Sequence, residues 1–557
     1  MDPTDALADT LDLTNPFTRA QLYEGLQRWP SLSVATRRTH VFRSLAAARR
    51  SLAAACDPDW AELALDVKTL EPLLRTPSAA ESESYDQVCF RGNPWGELNA
   101  IPFALIILAF YKTWVVPAFG AVLPLLTWIL PYIFLKSVSG IPMSFSEYSN
   151  LMWQMWNGQF GSQAPQQPQN AALQIKQMLQ NGWTLFTVGQ AIWQPIQQAR
   201  HFSRLDSSCH ALGEVILNVK RMALRCTADW GVWMPRWIQR WTEICPDDPR
   251  QAFAFVVETP HWLPHLLRGL GRFEVLWILA GREDVCAAQF VGGDKPVLML
   301  RDFGDPLIAR EKRVLSSIRL GAGKRSDYPE GTGKRSDYPE GTGPANHAIL
   351  TGPNRGGKSS LMRGILLNVR LAHAFGAAFA GKAQMSRFTW IADGLRLDDR
   401  PGKLSMFERE VCFAQAILTP RPGLGLCLYD ELFHSTNPPD AARTSEVFCD
   451  ALWKRNDCLS LVSTHVYALA RGAPDSVKKV CVAAWGPGAG AAGAESAEAD
   501  RRSPSFAESA YSFSYTLQRG ICEVSSVELL LQQHGLTGKQ PQPRPRQATK
   551  LLPSDQK

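Results

Sequence analysis

The longest apolar run in the chain lies within residues 96–139. Inside it, Trp114 to Leu135 form a 22-residue stretch without a charge, flanked by Lys112 and Lys136. A helix rises about 1.5 Å per residue, so this stretch reaches about 33 Å, enough to cross a hydrocarbon core of about 30 Å. The flanking lysines resemble interfacial anchors. The pattern predicts either a membrane insertion, as one span or a re-entrant hairpin, or a buried helical layer.

Three prolines within this run oppose a regular helix, because each removes a backbone hydrogen bond. Helices in membranes tolerate proline better than helices in water. The prolines are spaced by seven residues, which places them near one helix face: Pro117, Pro124 and Pro131. Both interpretations of the run therefore stay open.

The rest of the chain divides by periodicity and composition. Residues 1–95 and 140–300 read as mostly helical, the segments with strand and phosphate-loop signals lie within 301–537, and residues 538–557 are a polar, proline-rich tail. The segment GKRSDYPEGT occurs at 323–332 and again at 333–342. Two such copies cannot bury a core, so they predict a loop extension. We expect these copies, the insert at 486–505 and the tail to be poorly ordered.

Composition narrows the picture only slightly. A net charge of +7 over 557 residues permits a polyanionic partner but cannot identify one. The 12 cysteines form no CxxC pair and no metal-spaced cluster, which argues against a zinc site and a disulfide scaffold and favours a reducing compartment. The N-terminus shows no cleaved targeting signal.

The strongest chemical signal is HAILTGPNRGGKSSLMRGILLNV, in which a short apolar strand enters a glycine-rich loop and a helix follows. This is the phosphate-binding P-loop pattern in its required context. Lys358 would neutralise the β- and γ-phosphates of ATP, and the Ser359 hydroxyl would ligate Mg²⁺. The loop residues predicted to hold the nucleotide are Gly352, Pro353, Asn354, Arg355, Gly356, Gly357, Lys358, Ser359 and Ser360.

Two further strand ends complete the predicted site. GLGLCLYDELFHSTNPPD places an apolar strand directly before Asp430 and Glu431. Asp430 can hold the Mg²⁺ shell, and Glu431 can polarise the attacking water. The strand CLSLVSTHVYAL ends near His465, whose imidazole could reach the γ-phosphate or its water.

Together these segments resemble the ATPase of the MutS DNA mismatch-repair family. TGPNRGGKSSLMR is similar to the family's TGPNMGGKST loop, with Arg355 and Ser360 as departures. DELFHSTNPPDA resembles its DE-x-x-x-x-T-x-x-x-D segment, and STH resembles the ATH that ends its next strand. The resemblance implies an ABC-type α/β P-loop ATPase domain that uses ATP and Mg²⁺.

The stretch DDRPGKLSMFERE resembles the family's DDLxxGxSTFMxE loop, although Gly402 stands one residue early. In the family this loop contacts the ATP of the opposite subunit. The resemblance therefore implies a homodimer in which Ser405 reaches the partner's nucleotide in trans.

The resemblance extends through YSFSYTLQRGICEVSSVELLLQQHG and so covers about 302–537. It implies that 140–300 is a shortened counterpart of the family's core and lever helices. The mismatch-reading domain, with its Phe-x-Glu wedge, finds no counterpart in the helical residues 1–95. Phe145 to Glu147 and Phe506 to Glu508 have the letters in the wrong context.

The expected architecture is an α/β P-loop ATPase domain preceded by a mainly α-helical region that carries the candidate transmembrane segment. The expected function is ATP hydrolysis coupled to DNA binding, in mismatch repair or recombination. The alternative is a membrane-tethered ATPase that does not act on mismatched DNA. The first places the protein in the nucleus or cytoplasm, and the second at a membrane.

Overall fold

The computed structural model describes residues 3–51, 58–92, 94–101, 103–156, 171–230, 236–321, 345–395, 405–485, 512–524 and 531. The duplicated decamer, the insert at 486–505, the tail and Gly402 lie outside the described residues. The expectations for those segments stay predictions.

The chain forms two compact units. One consists of residues 1–57 together with 271–557 and is called the ATPase unit here, after the domain that the sequence predicts in it. The other consists of residues 58–270 and is called the helical unit. These divisions differ from the boundaries at 95, 139 and 300 drawn from the sequence, because the first three helices pack with the ATPase unit. Periodicity along the chain does not reveal such a long-range contact.

The described α-helices are α1 (Pro3–Thr10), α2 (Pro16–Gln27), α3 (Leu32–Ser51), α4 (Trp60–Thr69), α5 (Glu71–Leu74), α6 (Ala79–Val88), α7 (Ala104–Phe110), α8 (Val116–Ser137), α9 (Phe145–Trp156), α10 (Ala171–Trp230), α11 (Arg236–Ile244), α12 (Pro249–Glu258), α13 (Trp262–Ala280), α14 (Lys358–Phe375), α15 (Met406–Leu418), α16 (Pro438–Leu452) and α17 (Tyr467–Gly472). A π-helical turn, Tyr111–Val115, joins α7 to α8.

The described strands are β1 (Cys286–Ala287), β2 (Gln289–Val291), β3 (Val297–Phe303), β4 (Ser316–Gly321), β5 (His347–Thr351), β6 (Ala377–Ala378), β7 (Lys382–Ser386), β8 (Trp390–Gly394), β9 (Gly425–Tyr429), β10 (Cys458–Ser463), β11 (Val477–Trp485) and β12 (Ser512–Arg519). Among the described residues no strand precedes Cys286, so the region before the ATPase is helical, as the sequence pattern predicts.

A six-stranded sheet forms the centre of the ATPase unit, in the order β12-β11-β5-β10-β9-β8. Strands β5, β8, β9, β10 and β11 are parallel, and β12 pairs antiparallel at the edge. The central strands β5, β9 and β10 are buried throughout. Strands covered on both faces read as continuous apolar runs, which is why these were visible in the sequence. A four-stranded sheet, β2-β7-β3-β4, and the short pair β1-β6 complete the unit.

Arg38 of α3 and Arg272 of α13 hold the C-terminal end of α14. Arg38 Nη1 donates to the His373 carbonyl oxygen at 2.7 Å, and Arg272 Nη2 donates to that of Ala374 at 2.7 Å. The last carbonyl groups of a helix carry partial negative charge and lack intrahelical partners, so two guanidinium groups there are stabilising. Gly376 ends the helix at a φ of 74°, against the backbone of Thr39.

The second unit is built around α10, a 60-residue helix. Its C-terminal half is packed with α4, α11 and α12, and buries Ile216, Val219 and Ala223. Its N-terminal half packs with α8. The core of this unit therefore lies around the second half of α10.

One described helical stretch, Ala104–Leu123, has the length and composition to cross a membrane, and only 11% of its most apolar window is buried. Further along α8, Leu130 is 56% and Phe134 58% exposed. The buried helical layer that the sequence left open is therefore not formed by the described part of this unit. Length and composition alone do not establish a membrane span.

Candidate nucleotide-binding and catalytic site

The loop between β5 and α14 has a backbone that only glycine accommodates at its two ends. Gly352 has a φ of 148°, and a β-carbon there would lie 2.8 Å from the Val482 carbonyl oxygen. Gly357 has a φ of 91° and directly precedes the first residue of α14. The loop therefore turns tightly into a helix N-terminus, whose free N–H groups and positive dipole end favour a bound phosphate.

The ammonium group of Lys358 lies inside this loop. Its side chain is buried, and Nζ donates to the carbonyl oxygens of Gly352 at 2.8 Å and Pro353 at 3.1 Å. Burial lowers the pKa of Lys358, while the negative charges of Glu431 and Asp430 act in the opposite direction. A phosphate oxygen could replace the loop carbonyls as acceptor, which would give the ammonium a stronger, charged partner.

A cavity of about 530 Å³ opens beside the loop. This volume lies within the range of small-ligand sites, about 300–1,000 Å³. It brings together most of the predicted residues, and its lining includes Pro353, Asn354, Arg355, Gly357, Lys358, Ser359, Ser360 and Glu431. The predicted residues Gly352, Gly356, Asp430, Ser405 and His465 are not among its lining residues.

The opposite wall of the cavity comes from the segment after β3 and from Tyr515 on β12. Helix α14 holds that segment: Arg363 Nε donates to Asp305 Oδ2 at 2.8 Å, and Asn368 Nδ2 donates to the Gly304 carbonyl oxygen at 3.1 Å. Sequence reasoning missed this wall, because nothing in the segment has a chemical motif. The helix that begins at the phosphate loop thus also positions the far side of the pocket.

Ser463, at the end of β10, joins the two acidic residues that follow β9. Its hydroxyl donates to Asp430 Oδ1 and accepts from the Glu431 backbone N–H at 2.8 Å. Both atoms of the hydroxyl are therefore used, and the Asp430–Glu431 peptide is fixed relative to β10. The STH segment contains this serine, but the sequence pattern predicted a role only for its histidine, His465.

Glu431 has an uncommon backbone conformation and an imidazole close to its carboxylate. Its φ is 54°, a region that residues other than glycine rarely adopt and that recurs at functional sites. His465 Nε2 lies 3.5 Å from Glu431 Oε1. The interaction with His465 lowers the pKa of Glu431, burial opposes this, and the Lys358 charge adds to the lowering. Glu431 is thus held as a carboxylate, the form that can accept a proton from water or orient it.

A buried carboxylate connects α15 to the loop after Glu431. Glu410 is fully buried, and Ser435 Oγ donates to its Oε2 at 2.5 Å. His434 Nδ1 lies 2.9 Å from Glu410 Oε1 and 3.2 Å from the Glu431 carbonyl oxygen. A fully buried carboxylate needs such partners, and these contacts connect α15 to the loop that follows Glu431.

Ser405 begins α15. Glu408 N donates to Ser405 Oγ at 3.2 Å, and Ser405 N donates to Glu408 Oε2 at 2.7 Å, which together form a capping box. The side chain is exposed. Its contact with the nucleotide of another subunit stays a prediction.

The residues assigned to Mg²⁺ have the chemistry that the ion requires. Ser359 contributes an exposed hydroxyl to the cavity lining, and the Asp430 carboxylate is close enough to Lys358 to influence its pKa. Hydroxyl and carboxylate oxygens are the usual protein ligands of Mg²⁺, which keeps several waters and binds phosphate oxygens as well. Ser359 and Asp430 thus have the ligand chemistry that Mg²⁺ takes, and their joint binding of the ion stays a prediction.

Residues 348–523 match the family of MutS domain V. This stretch of the chain is therefore MutS-like. A DNA mismatch repair protein MSH3 from Pyricularia oryzae is 34% identical over 125 residues, which cover 22% of this chain and 11% of that relative. The chain thus matches only a small part of its curated relative.

The MutS domain V match contains every residue assigned to nucleotide, magnesium or catalysis, from Gly352 to His465. It also extends over Tyr515 and ends shortly after β12. It begins inside β5, so the segment after β3 that lines the cavity and the helices before Cys286 lie outside the matched stretch. The similarity thus supports an α/β ATPase domain within residues 348–523. It gives no information on residues 1–347.

His465→Ala removes the interaction that lowers the pKa of Glu431. Its loss raises that pKa, because the charged form loses a stabilising partner. We expect the acid limb of the pH profile of ATP turnover to move to higher pH. The measurement is kcat against pH for the wild type and the variant, with His261→Ala, a histidine of the other unit, as control. An unmoved acid limb would contradict this assignment.

Proposed function

We propose that this MutS-like chain binds and hydrolyses ATP. The observation that carries the proposal is the joint placement of Lys358 and Glu431 on one cavity beside a helix N-terminus. Backbone N–H groups and Lys358 would bind the phosphates, and Glu431 would orient the attacking water while His465 keeps it ionised. Mg²⁺, held by Ser359 and Asp430, would supply positive charge to the β- and γ-phosphates.

We propose further that the active form is a homodimer. Ser405 is exposed at the start of α15, and it does not line the cavity of its own chain. The MutS-like loop that contains it supports a role at the nucleotide of the partner subunit. Glu410, buried on the same helix, would then connect the engaged loop to Glu431.

The use of the ATPase that we propose first is DNA binding, in mismatch repair or recombination. The match of residues 348–523 to MutS domain V supports it, and the net charge of +7 is compatible with it. Phosphate contacts made by Lys and Arg release counterions, so such binding must weaken with salt. This use places the protein in the nucleus or cytoplasm.

A second candidate is a membrane-tethered ATPase. The observation that favours it is the apolar stretch Ala104–Leu123, little of which is buried. A contiguous exposed apolar surface of this kind marks a contact with another protein or with a membrane. This candidate places the protein at a membrane and makes mismatched DNA dispensable.

The dimer is tested by mixing two inactive variants. Lys358→Ala removes the phosphate-binding charge, and Ser405→Ala removes the hydroxyl offered in trans. A heterodimer of the two has one dead site and one intact site. Random mixing should therefore restore about a quarter of wild-type turnover, because about half the dimers are mixed and each has one working site of two. Turnover that stays at the mean of the single variants would contradict composite sites.

DNA coupling is tested by titrating the full chain with a homoduplex and with the same duplex carrying one mismatch. We expect affinity to fall linearly with salt on logarithmic axes, in proportion to the number of phosphates contacted. ATP should change the lifetime of the complex for the wild type, and Lys358→Ala should lose this effect. No binding, or binding independent of salt, would remove DNA from the proposed function.

A further inference from the structure

Two uncharged stretches of equal length lie in the helical unit. Residues 113–135 separate Lys112 from Lys136, and residues 177–199 separate Lys176 from Arg200, 23 residues in each case. The first falls on the π-helical turn and α8, the second on the first half of α10. At about 1.5 Å per residue each reaches about 35 Å, against a hydrocarbon thickness of about 30 Å.

These two stretches pack against each other in antiparallel directions. A β-carbon on Gly120 would lie 3.0 Å from Cγ of Pro195. Eight residues earlier, Lys112 Nζ lies 5.7 Å from the centre of the Phe202 ring, seven residues beyond Pro195. Contacts that lie closer to the N-terminus of α8 thus lie closer to the C-terminus of α10, as in an antiparallel pair. The basic residues Lys112 and Arg200 consequently bracket the same end of the pair.

Apolar side chains of both stretches are exposed. On α8, Phe119 is 63% exposed, and on α10, Trp183 is 68% and Phe186 54% exposed. Beyond Arg200 the same helix becomes core, with Ile216 and Val219 fully buried. The apolar side chains of α10 therefore change from exposed to buried beyond Arg200, the first charged residue after the uncharged stretch.

Charge supports a lipid bilayer as the surface that covers the pair. Between residues 98 and 205 the only acidic residue is Glu147, whereas the basic residues are Lys112, Lys136, Lys176, Arg200 and Arg204. Basic residues at the ends of uncharged helices lie where anionic lipid head groups would meet them. A soluble contact between two copies of this surface would not require basic residues at both ends of both helices.

We propose that α8 and the first half of α10 form a two-helix hairpin that crosses a lipid bilayer. Both termini and the ATPase unit then lie on one side, and residues 137–176 emerge on the other. The inference rests on the membrane-tethered candidate, whose stretch Ala104–Leu123 is the one described helical stretch apolar enough to cross a membrane by itself. It adds a second, more polar arm that would insert only as the packed partner of α8. That arm contains glutamines such as Gln190 and Gln194, which are costly in lipid and gain from a partner helix.

The test uses the full chain, synthesised in the presence of vesicles of zwitterionic and anionic phospholipid. The chain has a tag at each terminus and an epitope after Gly140, in the turn that follows α8. We expect the wild type to remain with the vesicles after alkaline extraction. Added protease should remove both terminal tags, and the inner epitope should be protected until detergent opens the vesicles.

The second arm is tested by the double variant Trp183→Arg, Phe186→Arg. Its matched control is Ser207→Arg, Ser208→Arg, which adds the same charges to exposed positions of the same helix beyond Arg200. The control should behave as the wild type. The double variant should lose inner protection and pass largely into the alkaline supernatant, with ATP turnover by the detergent-solubilised protein unchanged.

The outcomes separate the two claims. Wild-type protein released by alkaline extraction would overturn both the tether and the hairpin. Retention with one terminal tag protected would mean a single span by α8, so the tether would stand and the hairpin would fail. Retention with all three tags digested would mean helices lying on the surface, which also overturns the hairpin.

Discussion

Lys358 brings a positive charge into the interior of the ATPase unit, and the surrounding architecture compensates for it. An ammonium group out of water is costly unless it is paired and hydrogen-bonded. Two loop carbonyls provide the bonds, and the carboxylates of Asp430 and Glu431 provide the opposing charge. Those carboxylates are close because β9 and β5 both adjoin β10 in a parallel sheet, so that their carboxyl ends meet at one edge.

The two ends of α14 have complementary tasks. Its N-terminus faces the phosphate loop, and its C-terminus is held by Arg38 and Arg272. Between them, Arg363 and Asn368 position the segment that forms the far wall of the cavity. The helix thus connects its contacts with α3 and α13 to the segment that lines the cavity. This gives residues 1–57 a structural reason to belong to the ATPase unit.

Motifs with fixed spacing allowed the candidate site residues to be predicted from the sequence. The glycine loop, Asp430, Glu431 and His465 each follow a buried strand, and buried parallel strands are continuous apolar runs that the sequence displays. Three features could not be predicted, because each joins residues distant in sequence. They are the contact of Arg363 with Asp305, the hydrogen bonds of Ser463 with Asp430 and Glu431, and the contacts of Glu410 with Ser435 and His434. The first hydrophobic arm, α8, was visible for its lack of polar residues. The second was not, since its glutamines conceal an uncharged stretch of the same length.

We propose that one cavity binds ATP through Lys358 and hydrolyses it through Glu431. Glu431→Gln tests it most directly, because the amide keeps the size of the side chain and removes the charge that orients water. Calorimetry should give an ATP affinity within a few-fold of the wild type, and turnover should fall by about a hundredfold or more. Turnover at the wild-type level with intact binding would contradict the account.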